Sequence, residues 1–349
     1  MASSDLPLSF DSEQTLDEYM TRPTDALVRL MPSLKAGILI LGVGGKMGPT
    51  LALTAKRAAT AAGLNIPVIG VSRFSDTAVR DALDAQGIQT IACDLLDRAA
   101  VAALPNIPNI IYMAGRKFGS VGSEALTWAH NAVIPQIVAE RFRNASVVVF
   151  STGCVYPLTS SPSAGCKEDH PLTPLGEYAN SAIARERIFE FYAQQNNLKI
   201  LNYRLFYAID VRYGVLTEIG RTVLEKRPVD LTMGYVNAIW QGDAVDRALR
   251  CLGHCGNPPV SLNVTGTSPL SVREIALSFG RRFKIEPIFT GTEAPLALLG
   301  DASRCAALFG QPPATLDLMI NWTANWLTRG GAVWNKPTHF GVRDGQFLD

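Results

Sequence analysis

The chain contains 349 residues, of which 47% are hydrophobic and 18% are charged. This length suits a nucleotide-binding domain joined to a smaller second domain with a full hydrophobic core. Lysine and arginine total 32 while aspartate and glutamate total 31, so no charge excess favours nucleic acid or a membrane surface as a partner.

Signals for targeting and for metal binding are absent from the sequence. No apolar run approaches the length that crosses a bilayer, and Met1–Asp5 lacks the basic and apolar regions of a signal peptide. The six cysteines form no C-x-x-C pair, which indicates reduced thiols and a cytoplasmic location. Cys251–Cys255 matches no structural zinc pattern, so we predict no metal site.

The first 35 residues are polar and helix-forming, and we predict a helical extension with one capped helix over Thr21–Leu30. The apolar run Gly37–Leu41 that follows is typical of a buried parallel strand. It leads directly into Gly42-x-x-Gly45-x-x-Gly48 and a helix-forming stretch. A strand, a glycine turn and a helix N-terminus favour a pyrophosphate, because free N–H groups and the helix dipole attract its charge. We therefore predict a bound dinucleotide.

Strand-like and helix-like segments alternate after the glycine loop. Strands separated by crossover helices predict a doubly wound parallel sheet, the α/β class of the Rossmann fold. The predicted strands are Pro67–Val71, Gln89–Cys93, Asn109–Met113, Ser146–Phe150, Lys199–Leu205 and Val260–Val264, and the main predicted helices are Asp76–Gln86, Glu124–Phe142 and Tyr178–Gln195.

The alternation becomes irregular beyond residue 206, where segments rich in proline and glycine separate short helices. We predict a dinucleotide-binding domain over residues 36–206, to which the strand at 260–264 returns. A smaller substrate-binding domain is predicted over residues 207–330. Residues 331–349 are predicted to form a C-terminal tail.

Four further segments follow the glycine loop in the order in which motifs of one known family occur. They are Cys93–Asp97, Met113–Gly119, Phe150–Tyr156 and Tyr203–Phe206. With that loop they make residues 36–328 resemble the extended short-chain dehydrogenase/reductase family, the NAD(P)-dependent sugar epimerases and dehydratases. The resemblance implies a nicotinamide cofactor and a small sugar-like substrate. It also implies a homodimer, packed through the helices predicted at 124–142 and 178–195.

The resemblance also implies roles for individual residues. Thr152 matches the hydroxyl that orients the substrate oxygen, and Tyr178 matches the tyrosine that transfers a proton to or from it. Substrate contacts are implied for Tyr156, Tyr207 and Arg212, the last as a partner for a phosphate or carboxylate. Cofactor contacts are implied for Gly42, Gly45, Lys46, Met47, Gly48, Ser72, Arg73, Asp94, Leu95, Ala114, Gly115, Lys117, Tyr178 and Phe206.

The chain departs from the family four residues after Tyr178. The family has a lysine there, which lowers the pKa of the tyrosine and holds the nicotinamide ribose, but this chain has Ala182. Three interpretations stay open: another cation substitutes, with Lys117 and Arg116 nearest by motif position; a different acid or base acts from the substrate domain; or the site binds without catalysing. Arg185, two turns beyond Tyr178, is expected to be too far away.

The end of the second predicted strand bears on the choice between NAD and NADP. An NAD site usually carries a carboxylate there to bond the ribose 2′-hydroxyl. This chain has Ser72 and Arg73 instead, with no carboxylate before Asp76. A guanidinium and a small hydroxyl suit a 2′-phosphate, and Lys46 is a candidate second cation. We predict NADP, with NAD as the alternative.

Two functional hypotheses follow. The first is an NAD(P)-dependent oxidoreductase or epimerase that acts on a sugar, a sugar acid or a related polyol by hydride transfer. The second is a non-catalytic NAD(P)-binding sensor or regulatory protein. The glycine loop with Thr152 and Tyr178 favours the first, whereas Ala182 favours the second.

Overall fold

Seven parallel strands form the central sheet of the computed structural model, which describes residues 6–347. The order across the sheet is β7-β6-β5-β4-β1-β2-β3, so the predicted doubly wound α/β fold is confirmed. Residues 1–5, with the signal-peptide prediction, and the last two residues of the predicted tail lie outside the described range. The strands are β1 (Ile38–Leu41), β2 (Val68–Ser72), β3 (Gln89–Ala92), β4 (Asn109–Tyr112), β5 (Ser146–Thr152), β6 (Lys199–Leu205) and β7 (Val260–Val264).

Helices cover both faces of the sheet, which explains why β1 is apolar and buried at every residue. Helices α2, α3, α4 and α10 pack on one face, and α5, α7 and α8 pack on the other. The helices are α1 (Glu13–Met20), α2 (Asp25–Leu30), α3 (Gly48–Ala61), α4 (Thr77–Ala85), α5 (Arg98–Ala102), α6 (Glu124–Trp128), α7 (Ile134–Arg141), α8 (Gly176–Gln195), α9 (Val215–Leu224), α10 (Gln241–Arg250), α11 (Val272–Phe283), α12 (Ser303–Phe309) and α13 (Leu316–Thr328).

The helix predicted over Glu124–Phe142 is divided into α6 and α7 by a π-helical turn, Ala129–Val133. Pro135 lies in the first turn of α7 and has no N–H to donate to the carbonyl four residues earlier, which disfavours a regular helix here. The turn carries Asn131, whose fully buried side chain bonds to the backbone of Arg116.

The N-terminal extension contains two helices where the sequence predicted one. Ser12 and Thr15 form a capping box at the start of α1. Thr24 caps α2, so this helix begins later than the predicted Thr21–Leu30. The Thr24 hydroxyl also donates to Asp246 of α10 (2.9 Å) and ties the extension to the sheet domain.

The second domain lies at the carboxyl edge of the sheet, because the chain enters it directly after β6. Helices α9, α11 and α13 surround its core, in which Trp240 and Trp322 pack at 5.0 Å between ring centroids. Paired short strands complete it: Tyr207–Ile209 with Ala238–Trp240, Pro228–Asp230 with Ile288–Thr290, Tyr235–Val236 with Leu270–Ser271, and Thr159–Ser160 with Leu296–Ala297.

Candidate active site

The glycine loop joins β1 to α3 through two positions that only glycine can occupy. Gly42 has a φ of +93°, and a Cβ there would lie 2.6 Å from the backbone nitrogen of Ala114. A Cβ on Gly48 would overlap the carbonyl oxygen of Val43. No side chain caps α3, and the loop leads directly into its N-terminus, where the helix dipole favours an anion. The arrangement suits a pyrophosphate.

A cavity of about 390 Å³ lies over this loop and over the carboxyl ends of β2, β3 and β4. Of the predicted cofactor residues, it is lined by Gly42, Gly45, Ser72, Arg73, Asp94, Leu95, Ala114 and Gly115. Sequence reasoning did not select its other lining residues. Gly44, Phe74, Ser75, Asp76, Cys93 and Met113 adjoin the motifs, while Val79, His130 and Ile134 come from helices or the π-turn, where no local signal marks them.

Two charged side chains follow the end of β2, and only one of them already has a hydrogen-bond partner within the described part of the protein. The Asp76 carboxylate caps α4 by accepting from the backbone N–H of Ala78 (3.0 Å). Arg73 is exposed and pairs with no carboxylate among residues 6–347. Arg73 thus lines the cavity without a carboxylate partner, which suits an anionic group such as a 2′-phosphate, although Asp76 lines the same cavity.

Lys46 extends from the glycine loop toward the second domain, away from Arg73. Its ammonium group donates to the carbonyl oxygen of Ala208 (3.1 Å) and lies 4.3 Å from the centroid of the Tyr213 ring. Burial lowers the pKa of Lys46 to about 8, although Asp210 opposes the effect. The predicted second cation beside Arg73 is therefore directed elsewhere. Lys46 lines a smaller cavity of about 150 Å³ with Met47, Lys117, Leu205, Phe206, Tyr207, Ala208, Tyr213, Gly214, Val215 and Thr338.

Thr152 and Tyr178 lie together, at the end of β5 and the start of α8. Burial, aided by Cys154, raises the pKa of Tyr178 to about 12, while the Thr152 hydroxyl and the charge of Arg185 act to lower it. The Thr152 oxygen also accepts from the backbone N–H of Cys154 (3.1 Å). A neutral tyrosine with an adjacent hydroxyl can hold a substrate oxygen and donate a proton to it.

Ala182 is fully buried on α8, where it packs with Val155, Tyr156 and Cys166, and the candidate replacement cations lie elsewhere. The Lys117 ammonium group lies 5.7 Å from the centroid of the Tyr178 ring. Arg116 instead donates to the carbonyl of Gly119 (3.1 Å). The charge of Arg185 acts to lower the pKa of Tyr178, although less than any of the other causes. The expectation that Arg185 lies too far away to replace the lysine stays a prediction.

The three predicted substrate residues differ in how many of their polar groups already bond to other protein side chains. Tyr207 lines the 150 Å³ cavity, and it also borders the cleft beside Tyr156. The Tyr156 hydroxyl donates to the Asn263 side chain (2.8 Å) and accepts from Arg204 (2.7 Å). The Arg212 guanidinium pairs with the carboxylates of Asp210, Asp17 and Glu13 at 2.8 to 3.2 Å. Of the three, Tyr207 has the side chain best placed to meet a ligand.

The segment 334–347, named here the C-terminal strap, crosses from the second domain to the sheet domain without helix or strand. Thr338 bonds to α9 at one end, and the Phe347 carbonyl accepts from the backbone N–H of Ser120 (3.2 Å) at the other. The Phe347 ring packs edge-on against Tyr178, with centroids 5.5 Å apart. The strap leaves about 30 Å³ in the cleft beside Tyr207, which is room for a water molecule or two.

The glycine loop, the β2 and β4 turns and the hydroxyl pair belong to a stretch that matches one family model. The NAD dependent epimerase/dehydratase family model matches residues 38–224, more than half of the chain. The chain belongs to this family. No curated protein sequence matches it significantly. Family members are NAD-dependent epimerases and dehydratases, which supports an enzyme.

Solved structures of UDP-sugar epimerases share the fold. UDP-glucuronic acid 4-epimerase from Bacillus cereus with NAD is 17% identical, with a TM-score of 0.67 over 84% of this chain and 99% of that one. UDP-glucose 4-epimerase from Thermus thermophilus with NAD is 18% identical, with a TM-score of 0.66 over 83% and 98%. The UDP-glucose 4-epimerase from Thermotoga maritima with UDP-glucose is 16% identical, with a TM-score of 0.68 over 84% and 99%.

Residues 6–347 also bear on metal binding and on membrane insertion. No cluster of three or more histidine, cysteine, aspartate or glutamate side chains there is arranged to hold a metal ion. No helix in that range is long and apolar enough to cross a membrane. The six cysteines are free thiols.

Replacing Gly48 with alanine should destabilise the protein by about 1–3 kcal/mol or more, because the added methyl group overlaps the backbone of Val43. Gly45→Ala is the matched control in the same loop, since its Cβ would have no contact closer than 3.5 Å. Thermal melting of both variants checks the prediction. Equal stability of the two variants would show that the loop does not need this close approach.

Proposed function

We propose that the protein is an NADP-dependent enzyme that oxidises, reduces or epimerises a sugar, sugar acid or related polyol by hydride transfer. The observation that carries the proposal is the Thr152–Tyr178 hydroxyl pair at the sheet edge that also bears the glycine loop and its cavity. The similar epimerases were solved with NAD or UDP-glucose, which supports a sugar-like substrate. The N-terminus of α3, with Arg73 and Asp94, is suited to holding a dinucleotide phosphate and its adenosine.

The proposed chemistry divides between the cofactor and the chain. A bound nicotinamide supplies or accepts the hydride. Thr152 would hold the oxygen of the reacting carbon by a hydrogen bond, and Tyr178 would donate a proton to that oxygen or remove one. Phe206 and Tyr207 line the cavity next to Lys117, and they would confine the reacting groups and exclude water.

The direct test is a titration with NADPH and NADH, followed by a panel of sugars, sugar acids, polyols and nucleotide sugars. Absorbance change reports net redox, and chromatography reports epimers. Thr152→Ala and Tyr178→Phe should keep cofactor binding but lose most turnover. Cofactor binding without turnover on the whole panel would contradict an enzymatic role.

The pH dependence of the reaction tests the role of Tyr178. Its pKa is raised to about 12, so the ionised form is rare at neutral pH and grows roughly tenfold per pH unit. Oxidation, which needs the ionised form to accept a proton, should therefore accelerate about tenfold per unit between pH 7 and 9. Reduction, in which the neutral form donates, should stay nearly constant. An oxidation rate that is flat over this range would exclude Tyr178 as the base.

Arg73→Ala should weaken NADPH binding by about tenfold or more and leave NADH binding nearly unchanged, because a charged hydrogen bond to the 2′-phosphate is lost. Arg80→Ala is a control on the neighbouring surface, since Arg80 pairs with Asp84 in α4. Isothermal titration with both cofactors measures the two affinities. If both affinities fall equally, the preference for NADP is wrong.

Access of a sugar requires the C-terminal strap to move, because the cleft it covers is too small for a sugar ring. Phe347→Ala should therefore raise the labelling rate of Cys154, which lines this cleft, by a thiol reagent. Phe340→Ala removes another buried strap ring that packs in the second-domain core, and it is the matched control. The difference is measured against Cys154→Ser in each background. Equal labelling in both variants would show that Phe347 does not close the cleft.

Two observations favour the alternative proposal, a cofactor-binding sensor without turnover. Ala182 stands in the place of the family lysine, and the strap covers Tyr178 in this structure.

The proposed homodimer is supported by exposed apolar side chains on α6 and α8, including Leu126 and Phe191. Sedimentation of Phe191→Glu, with Ile288→Glu as a control for another exposed apolar residue, distinguishes a dimer through α8 from a monomer.

A further inference from the structure

Arg185 lies on the same face of α8 as Tyr178 and Ala182. Long side chains on a helix lean toward its N-terminus, so the guanidinium is directed back toward the half of α8 that carries Tyr178. It donates to the carbonyl oxygen of Phe150 (2.6 Å) and to the side-chain oxygen of Asn131 (2.6 Å). These bonds fix a positive charge behind the start of the helix.

The guanidinium also lies directly beneath the cofactor cavity. Gly115, which lines that cavity, has no room for a side chain because a Cβ would overlap the Arg185 guanidinium. The Arg185 guanidinium lies 5.8 Å from the centroid of the Tyr112 ring below it. The charge thus sits between the sheet and the turn after β4, within the floor of the site.

This charge has no counterion among residues 6–347. Arg185 is 5% exposed, yet no described carboxylate forms an ion pair with it, and its Nε has no acceptor. The next residue, Glu186, pairs instead with Arg204 (2.7 Å), which is equally buried. Burying a charge without a counterion costs folding free energy, and an anion formed in the site above Arg185 would offset part of that cost.

We propose that Arg185 is a positioning residue that supplies, from behind the helix, the positive charge that the missing lysine would supply at position 182. It would favour the ionised oxygen of Tyr178 without touching the substrate. The inference rests on the proposed role of Tyr178.

The other groups around Tyr178 do not provide the same charge at the same place. Lys117 lies over the face of the Tyr178 ring, and burial lowers the pKa of Lys117. Cys154 opposes ionisation of the tyrosine. Arg185 acts in the opposite direction to Cys154 and to burial, and its own hydrogen bonds hold it in place.

The test measures ionisation of residue 178 directly and needs no substrate. Trifluorotyrosine at position 178, whose lower intrinsic pKa brings its ionisation into the stable pH range, is titrated by fluorine NMR. In that background Arg185→Met should raise the pKa by about one unit, a tenfold change in the ionisation constant. Arg185→Lys keeps the charge and should largely restore it. Arg187→Met, which removes an exposed arginine of the same helix, should have no effect.

Asn131→Asp provides a second route to the same result. It places a carboxylate against the guanidinium, so it should cancel the charge and raise the pKa of the same group while Arg185 is retained. This variant keeps the test informative if Arg185→Met fails to fold. If folded Arg185→Met or Asn131→Asp titrates like Arg187→Met, or if Arg185→Lys shifts as far as Arg185→Met, the inference is wrong. NADPH binding is measured separately, so failure of the proposed function is recognised independently.

Discussion

The site depends on one constraint, the position of β1 between β2 and β4 at the centre of the parallel sheet. The chain leaves β1 and β4 at the same edge, so the loops after them must meet there. Gly42 and Ala114 make this contact, which leaves no space for a side chain at position 42. The cofactor cavity lies above that contact, and the hydroxyl pair stands at the end of the next strand. Loss of the contact between Gly42 and Ala114 would therefore move the cofactor cavity away from the hydroxyl pair.

The sequence was a good guide to features that are local in the chain. All seven predicted strands occur, with boundaries that differ by no more than two residues, because buried apolar runs between crossover helices have few alternatives. Gly42, Gly45, Arg73, Asp94 and Gly115 line one cavity because each lies within four residues after the end of a strand at the same edge. Motif order therefore carried spatial information that no single motif did.

Contacts between residues far apart in the chain could not be predicted from the sequence. The direction of Lys46 is set by the Ala208 carbonyl, 162 residues away, and Arg212 is engaged by two carboxylates of the N-terminal helix α1. The C-terminal strap has no periodic pattern, yet its last described residue packs against Tyr178. Long polar side chains and irregular segments take their positions from tertiary contacts, for which a single sequence contains no local signal.

The family lysine has two tasks, and under the proposal for Arg185 this chain retains only one of them. One is to place a positive charge near the tyrosine, which Arg185 can do from beneath. The other is to bond the nicotinamide ribose, which Arg185 cannot do while Phe150 and Asn131 hold its guanidinium. Ala182 is fully buried among Val155, Tyr156 and Cys166, so A182K alone would meet steric resistance and add a second cation to the helix face that carries Arg185. Under the proposal, Ala182 and Arg185 form a paired arrangement, so the catalytic capacity of this helix must be judged from both residues together.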